Sequence, residues 1–201
     1  TAVGGSERRF RELVECLPQP IWACLPEGEC DYLSPQWMSY TGMPAAGQLG
    51  HGWTRQVHSE DRQMAIEQWQ EALARAQPFD SEFRLRRADG TYRWFHAHAS
   101  PLRDNAGRLL RWLGTFTEIH DRKQAESMQA RLAAIVESSS DAVISKSLDG
   151  RILTWNKSAE LMFGYSGEEI IGQSIFLLIP SDRQLEETTL IELIKTGKRV
   201  Q

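Results

Sequence analysis

Gly114-Thr115-Phe116-Thr117-Glu118-Ile119-His120-Asp121-Arg122-Lys123, continuing through Gln124 to Glu137, carries two periodicities in succession. Trp112, Gly114 and Phe116 alternate with Leu113, Thr115 and Thr117, the period of a half-buried strand. Beyond them Ala125, Met128, Leu132 and Ile135 recur at steps of 3, 4 and 3, the spacing of a coiled-coil seam. Asp121 and Gln124 fit a capping box, which places the start of the helix at Asp121. A strand feeding a helix divides the chain. The residues before it read as one folded unit, and those after it as the start of a second.

Working outward, the 201 residues suit one or two domains. A hydrophobic fraction of 41% and a charged fraction of 25% belong to a globular chain. The net charge of −4, with Arg8 and Arg9 diluted by Glu7 and Glu12, argues against a nucleic-acid partner. The longest apolar run, Ile175 to Ile179, falls far short of the roughly 20 residues of a membrane helix, so no membrane segment is expected. Cys16, Cys24 and Cys30 form no C-x-x-C pair and read as reduced thiols in a cytoplasmic protein. A start at Thr1 without Met reads as a cut from a longer chain.

Phe10, Leu13, Val14 and Leu17 share a face of a helix over Arg8 to Leu17, which Pro18 and Pro20 stop. Ile21 to Leu25 and Cys30 to Ser34 read as a hairpin turning at Glu27-Gly28, and short helical pieces occupy the stretch up to Trp53. A longer helix is expected over Ser59 to Arg75, opened by Ser59, Glu60 and Asp61. Three strands complete the unit: Phe79 to Arg87, Thr91 to Leu102 and Arg108 to Glu118. They turn at Asp89-Gly90 and at Asp104 to Gly107. Two strands, helices and three strands make an α+β pattern on an antiparallel sheet.

Sliding the chain by 122 residues reveals a repeat: Gly28, Gly42 and Gly50 fall on Gly150, Gly164 and Gly172, and Val14-Glu15 on Val136-Glu137. Glycines keeping register mark turns that require positive φ. Residue 201 then corresponds to position 79, so the second unit is expected to stop before its last three strands.

These residues resemble the PAS sensory-domain family. In the first unit the resemblance lies in Tyr32-Leu33-Ser34, Thr41-Gly42, Val57-His58-Ser59-Glu60-Asp61-Arg62, Phe83 to Arg86, Asp89-Gly90-Thr91-Tyr92-Arg93-Trp94 and Gly114 to Ile119. In the second it lies in Ser139 to Ala142, Asp149-Gly150, Trp155-Asn156, Phe163-Gly164-Tyr165, Glu169 to Gly172 and Ile179 to Arg183. The resemblance implies a five-stranded antiparallel sheet with helices on one face, then a linker helix and a second, incomplete PAS-like domain. The corresponding boundaries are an N-terminal amphipathic helix at 1–17, a first PAS domain at 18–119, a linker helix at 120–137 and the N-terminal part of a second PAS domain at 138–201. It further implies a sensory input and relay module upstream of a histidine kinase in a two-component system, with a diguanylate cyclase or another output as the alternative. That output would lie beyond residue 201. No catalytic site is read in this chain itself.

By the same resemblance the residue after the strand tryptophan points inward. The pocket lining would be Phe83, Leu85, Phe95, Ala97, Ala99, Trp112, Gly114 and Phe116, an apolar wall without charge. Such a wall is also what an ordinary core presents. Non-covalent FAD is compatible with it. Haem ranks lower, because the long helix lacks histidine and only His51 or His58 could serve as axial ligand. No reactive cysteine stands where flavin photochemistry would need it. Outward, Trp94, His96 and His98 share a face; His96-x-His98 alone is a poor zinc pattern, so no metal is expected. An exposed tryptophan calls for a cover, and a homodimer through the outer sheet face and the linker helix would supply it.

At the junction the family's usual Asp-Ile-Thr is replaced by Glu118, Ile119 and His120. Glu118 and Arg122, four apart, are expected to pair, worth about 0.2–1 kcal/mol when exposed. His120 would add a response near neutral pH.

Overall fold

Which side of the sheet is dry is set by strict alternation along its strands. In the computed structural model, which describes residues 16–196, strand β3 (Phe79–Arg86) buries Phe79, Ser81, Phe83 and Leu85 and turns the residues between them outward. Strand β4 (Tyr92–Arg103) buries Phe95, Ala97 and Ala99, and β5 (Leu109–Glu118) buries Trp112, Gly114 and Phe116. With β1 (Ile21–Cys24) and β2 (Cys30–Leu33) they form a five-stranded antiparallel sheet in the order β2-β1-β5-β4-β3. Helix α1 (Pro35–Thr41) and helix α2 (Ser59–Arg75) cover the dry side, placing Trp37, Trp69 and Ala72 in the same cluster as the inward strand residues.

The α2 bounds coincide with the sequence expectation. His58 caps its start, accepting a weak bond from the Glu60 amide at 3.3 Å. At its other end Ala76 adopts φ 46°, and its N–H bonds back to Ala72 and Leu73. Most of the helix expected over Arg8 to Leu17 lies outside the described residues.

One row of register partners crosses the whole sheet: Leu33, Trp22, Gly114, Ala99 and Phe79. It runs large, large, absent, small, large. A Cβ on Gly114 would stand 2.4 Å from Trp22 Cε2 and 2.7 Å from the His98 carbonyl, so only glycine lets the Trp22 ring lie over β5.

The chain divides into two units, Thr1–Gln124 and Ala125–Gln201, and helix α3 (His120–Ser138) contains the division. The second unit holds a two-stranded antiparallel sheet, β6 (Ile144–Lys146) with β7 (Ile152–Trp155), and helices α4 (Lys157–Phe163), α5 (Gly167–Ile170) and α6 (Gln184–Lys195). The repeat holds down to single hydrogen bonds. Gly28, Gly42 and Gly50 have φ of 95°, 68° and 62°, and Gly150, Gly164 and Gly172 have 79°, 80° and 85°. Gly50 N–H donates to Cys30 O at 2.7 Å, and Gly172 N–H to Ile152 O at 2.8 Å. Ser34 Oγ accepts from the Ile21 amide at 2.9 Å, and Asn156 Oδ1 from the Val143 amide at 2.9 Å.

The capping box at Asp121 and Gln124 is not how α3 begins. The helix starts at His120, and the Ile119 carbonyl accepts its first bond from Lys123 N at 3.0 Å. Ile119 still belongs to the sheet, its amide donating to Trp94 O at 2.9 Å. The strand ladder therefore hands the backbone directly to the helix. Asp121 lies in the first turn, where a carboxylate favours the positive end of the helix.

Gly114→Ala tests the row. The added methyl must push Trp22 or the β4 backbone aside, and the expected loss is about 1–3 kcal/mol of unfolding free energy in urea titrations.

Candidate functional site

Phe116 sits between two tryptophans. Its ring stacks on Trp37 at 4.6 Å between centroids and on Trp22 at 5.6 Å, and Trp22 meets Trp69 edge-on at 5.4 Å. The Trp37 indole donates to buried Gln48 Oε1 at 2.7 Å, and Gln48 Nε2 donates to Met43 O at 2.8 Å, so the Trp37 end of the stack is anchored by satisfied polar groups. All eight residues expected to line a pocket are buried, and seven of them belong to the hydrophobic cluster. They line little space. The gap among Trp22, Cys30, Leu33, Trp53, Phe79 and Phe116 has a volume of about 10 Å³, enough for one water. A planar cofactor needs a site of about 300–1,000 Å³. This gap, which only Phe116 of the eight borders, is too small in its present packing for a flavin or a haem. Neither histidine considered as an axial ligand is buried in that interior: His51 is exposed and His58 sits half-buried at the N-terminus of α2.

A larger space lies beside the end of β5. An open cleft of about 750 Å³ runs over Pro18, Gln36, Tyr40, Phe95 and Phe116, with Arg87 and Glu118 also in its wall. Phe116 thus borders both the inner gap and this cleft. Tyr40 packs edge-on against Phe95 at 4.8 Å. Burial pushes the Tyr40 phenol up to about 12, so it stays protonated as a hydrogen-bond donor.

The junction is built across strands rather than along the helix. Glu118 pairs with Arg93 on β4 at 2.7 Å, and Arg122 pairs with Glu82 on β3 at 2.6 Å, in place of the expected Glu118–Arg122 pair. Lys123 also reaches Glu82, at 2.5 Å, so one carboxylate holds two successive cations of the first turn of α3. The Lys123 ammonium lies 5.4 Å from the Trp94 ring centre, and the Arg84 guanidinium 5.3 Å from it. The outward tryptophan is half-buried with its own chain's cations over the ring. Arg84 in turn grips Asp61 on α2 through Nε at 2.8 Å and Nη2 at 2.7 Å. His120 Nδ1 accepts a long bond from the Trp94 amide, 3.4 Å.

These contacts set the charges. The hydrogen bond from Arg84 holds the Asp61 carboxyl below its ordinary range despite burial, and that from Lys123 does the same for Glu82. Farther along the face Asp80 contacts His96 Nε2 at 2.9 Å and His98 Nδ1 at 3.2 Å, which keeps its carboxyl low. Among the described residues no cluster of three or more such side chains has the geometry to hold a metal, and no helix is long and apolar enough to cross a membrane.

Glu82, Arg84, Arg93 and Lys123 do not stand out in the sequence, because they meet through sheet register and not through helical spacing. Alternation holds the signal. Glu82 and Arg84 share the outward face with Trp94, and Arg84 is the register partner of Trp94.

A five-stranded antiparallel sheet with its helices on one face, and a helix leaving its last strand under electrostatic control, defines a sensor domain. Residues 31–116 and residues 130–201 each match the PAS fold, and the chain belongs to the PAS family with two such domains. It is 35% identical over 140 residues to the uncharacterized protein y4lL of Sinorhizobium fredii, covering 68% of this chain and 17% of that one. It is 30% identical over 135 residues to the peroxide stress-activated histidine kinase mak1 of Schizosaccharomyces pombe, covering 63% of this chain and 8% of mak1. The chain thus spans less than a fifth of the length of these relatives. Among solved structures, an RNA-binding light-oxygen-voltage receptor superposes with a TM-score of 0.56 at 21% identity, over 64% of this chain and 37% of that one, a likeness of fold.

Two consequences can be measured together. Glu82→Gln should speed amide hydrogen exchange in the first two turns of α3 while leaving β4 protected. Because the Glu82 carboxyl is depressed below its ordinary 4.5 in the folded state, its contribution is present above that pH and fades as pH falls through the depressed value. The protection factors of amides 122–126 in the parent chain, taken against the intrinsic exchange rate at each pH, should therefore fall on acidification, and in Glu82→Gln that step should vanish.

Proposed function

We propose that this chain is the sensory input and relay portion of a cytoplasmic sensor histidine kinase working in a two-component phosphorelay. The observation that carries the reading is the fastening of the first turn of α3 to Glu82 and Trp94. A change in how β3, β4 and β5 pack must alter that fastening, and the helix then favours one of two arrangements at the kinase. The mak1 relative supports a kinase output, which would lie beyond residue 201. The signal acts at the cleft beside Phe116. Its aromatic floor, with Arg87 in the wall, suits a small molecule with a flat apolar body and one anionic group.

The self-partner in this reading is a second copy joined through α3. Met128, Leu132 and Ile135 are 56%, 55% and 56% exposed on one seam, and pairing two such seams removes them from water. The first turn of α3 covers only the Glu82 and Trp94 end of the outer sheet face, and Asp80, His96 and His98 on the rest of it extend the surface a second copy could cover. A second reading is favoured by the filled interior: a ligand-free dimerisation scaffold in which partners, and not metabolites, shift the helix. The two readings part at the cleft. Arg87→Glu should abolish the response to an anionic ligand in the first and leave output untouched in the second.

Leu132→Asp with Ile135→Asp should reduce the light-scattering mass from that of a dimer to that of one protomer at micromolar concentration; a parent chain already monomeric there would refute the seam. In the full-length protein, Glu82→Gln with Trp94→Ala should change basal autophosphorylation several-fold, and an unchanged rate and stimulus response would refute the relay.

A further inference from the structure

Two of the three cysteines face each other across the first hairpin. Cys24 on β1 is the register partner of Cys30 on β2, and both are buried in the hydrophobic cluster. Antiparallel partners hold their Cα atoms about 4.5–5.5 Å apart, inside the 4.4–6.8 Å that a disulfide spans. Cys30 Sγ donates to the Tyr32 carbonyl at 3.4 Å. The geometry points to Cys24 and Cys30 as a reversible dithiol–disulfide site, oxidised by a small two-electron oxidant of the peroxide class. This inference is independent of the cleft and of the helix relay.

The chemistry has a direction. Cys30 is the attacking sulfur because it lies on the edge strand β2 and borders the gap beside Trp22 and Phe116. The neighbouring Cys24 also holds the Cys30 thiol below its ordinary value, while Cys30 and burial push the Cys24 thiol up. Its thiolate attacks one peroxide oxygen, the O–O bond breaks, and Cys30 becomes a sulfenic acid with release of hydroxide. Cys24 sulfur then displaces the hydroxyl from Cys30, forming the S–S bond, and its proton leaves with that hydroxyl as water. In sum two thiols and one hydrogen peroxide give one disulfide and two waters.

Access comes from the position of the hairpin. β2 is an edge strand of 4 residues bonded within the sheet only to β1 and flanked by the two Cys30–Gly50 backbone bonds. Releasing those two bonds and the hairpin exposes Cys30 without disturbing β5, β4 and β3. The consequence comes from what Cys30 touches. It lines the 10 Å³ gap together with Trp22 and Phe116, and Trp22 carries a buried indole N–H with no acceptor. Drawing Cys30 sulfur toward Cys24 removes part of that wall beside two stacked rings. The third thiol, Cys16, is exposed and provides the internal comparison.

The test treats the reduced chain in its Cys16→Ser form with hydrogen peroxide and reads intact mass, free thiols and tryptophan emission. The expected result is loss of both remaining thiols together, a mass lower by two hydrogens, a shifted emission, and full reversal by dithiothreitol. Cys24→Ser should instead retain oxygen on Cys30 and show no loss of two hydrogens. Thiols that persist where glutathione is oxidised, oxygen added to each cysteine separately, or linkage only between chains would each overturn the assignment. The mass measurement on the Cys16→Ser chain decides the matter even where Cys24→Ser fails to fold.

Discussion

The interior depends on the Trp22 ring lying against the backbone of Gly114. Only the absence of a side chain there, beside the small Ala99, lets so large a ring cross from β1 over β5. Once it does, Trp22 stacks on Phe116 and Phe116 on Trp37, and the space between sheet and helices is filled from within the chain. The stacking of these rings is thus a consequence of one row of residues across five strands. The same stack is centred on Phe116, two residues before Glu118 at the junction. Core packing and the start of α3 are therefore mechanically close.

Much of this is legible in the sequence because the signals are local. Period-two alternation sorts the residues of β3, β4 and β5 into two faces, and the family resemblance says which face is inward. The apolar face and the acidic start locate α2 from Ser59 to Arg75. Three glycines at a fixed offset announce positive-φ turns that the structure places in both units. The features that local spacing misjudges depend on partners distant in sequence. Glu118 and Arg122 satisfy the helical spacing rule, but Glu118 still belongs to the strand, whose register puts Arg93 nearer. The Asp121 cap fails for the same reason: a ladder bond from Ile119 to Trp94 fixes the end of the strand, so the helix begins at once. Neither fact has a trace within four residues.

The repeat shows which demands are backbone demands. Ser34 and Asn156 occupy equivalent places and do the same work, each offering an oxygen to the amide that opens its unit. Asparagine adds what serine cannot. Its Nδ2 donates to Asp141 O at 2.9 Å and to Val136 O at 2.9 Å, and Val136 lies in the last turns of α3. A single side chain thereby ties the end of the helix to the β6–β7 hairpin.

Among the described residues, helix α3 is consequently held to the rest of the fold at its two ends. Its first turn is fixed by Glu82 and Trp94, its last by Asn156, and none of its 19 residues is buried. A helix of that length without tertiary packing is only marginally stable in water. Exposed ion pairs contribute about 0–1 kcal/mol each, so the first fastening is also weak. Two weak anchors around an unsupported, apolar-striped middle leave the helix within a few kcal/mol of several arrangements. The arrangement it takes is then decided by whatever covers the stripe and whatever perturbs the anchors. A helix packed firmly into either unit could not be swayed by so little.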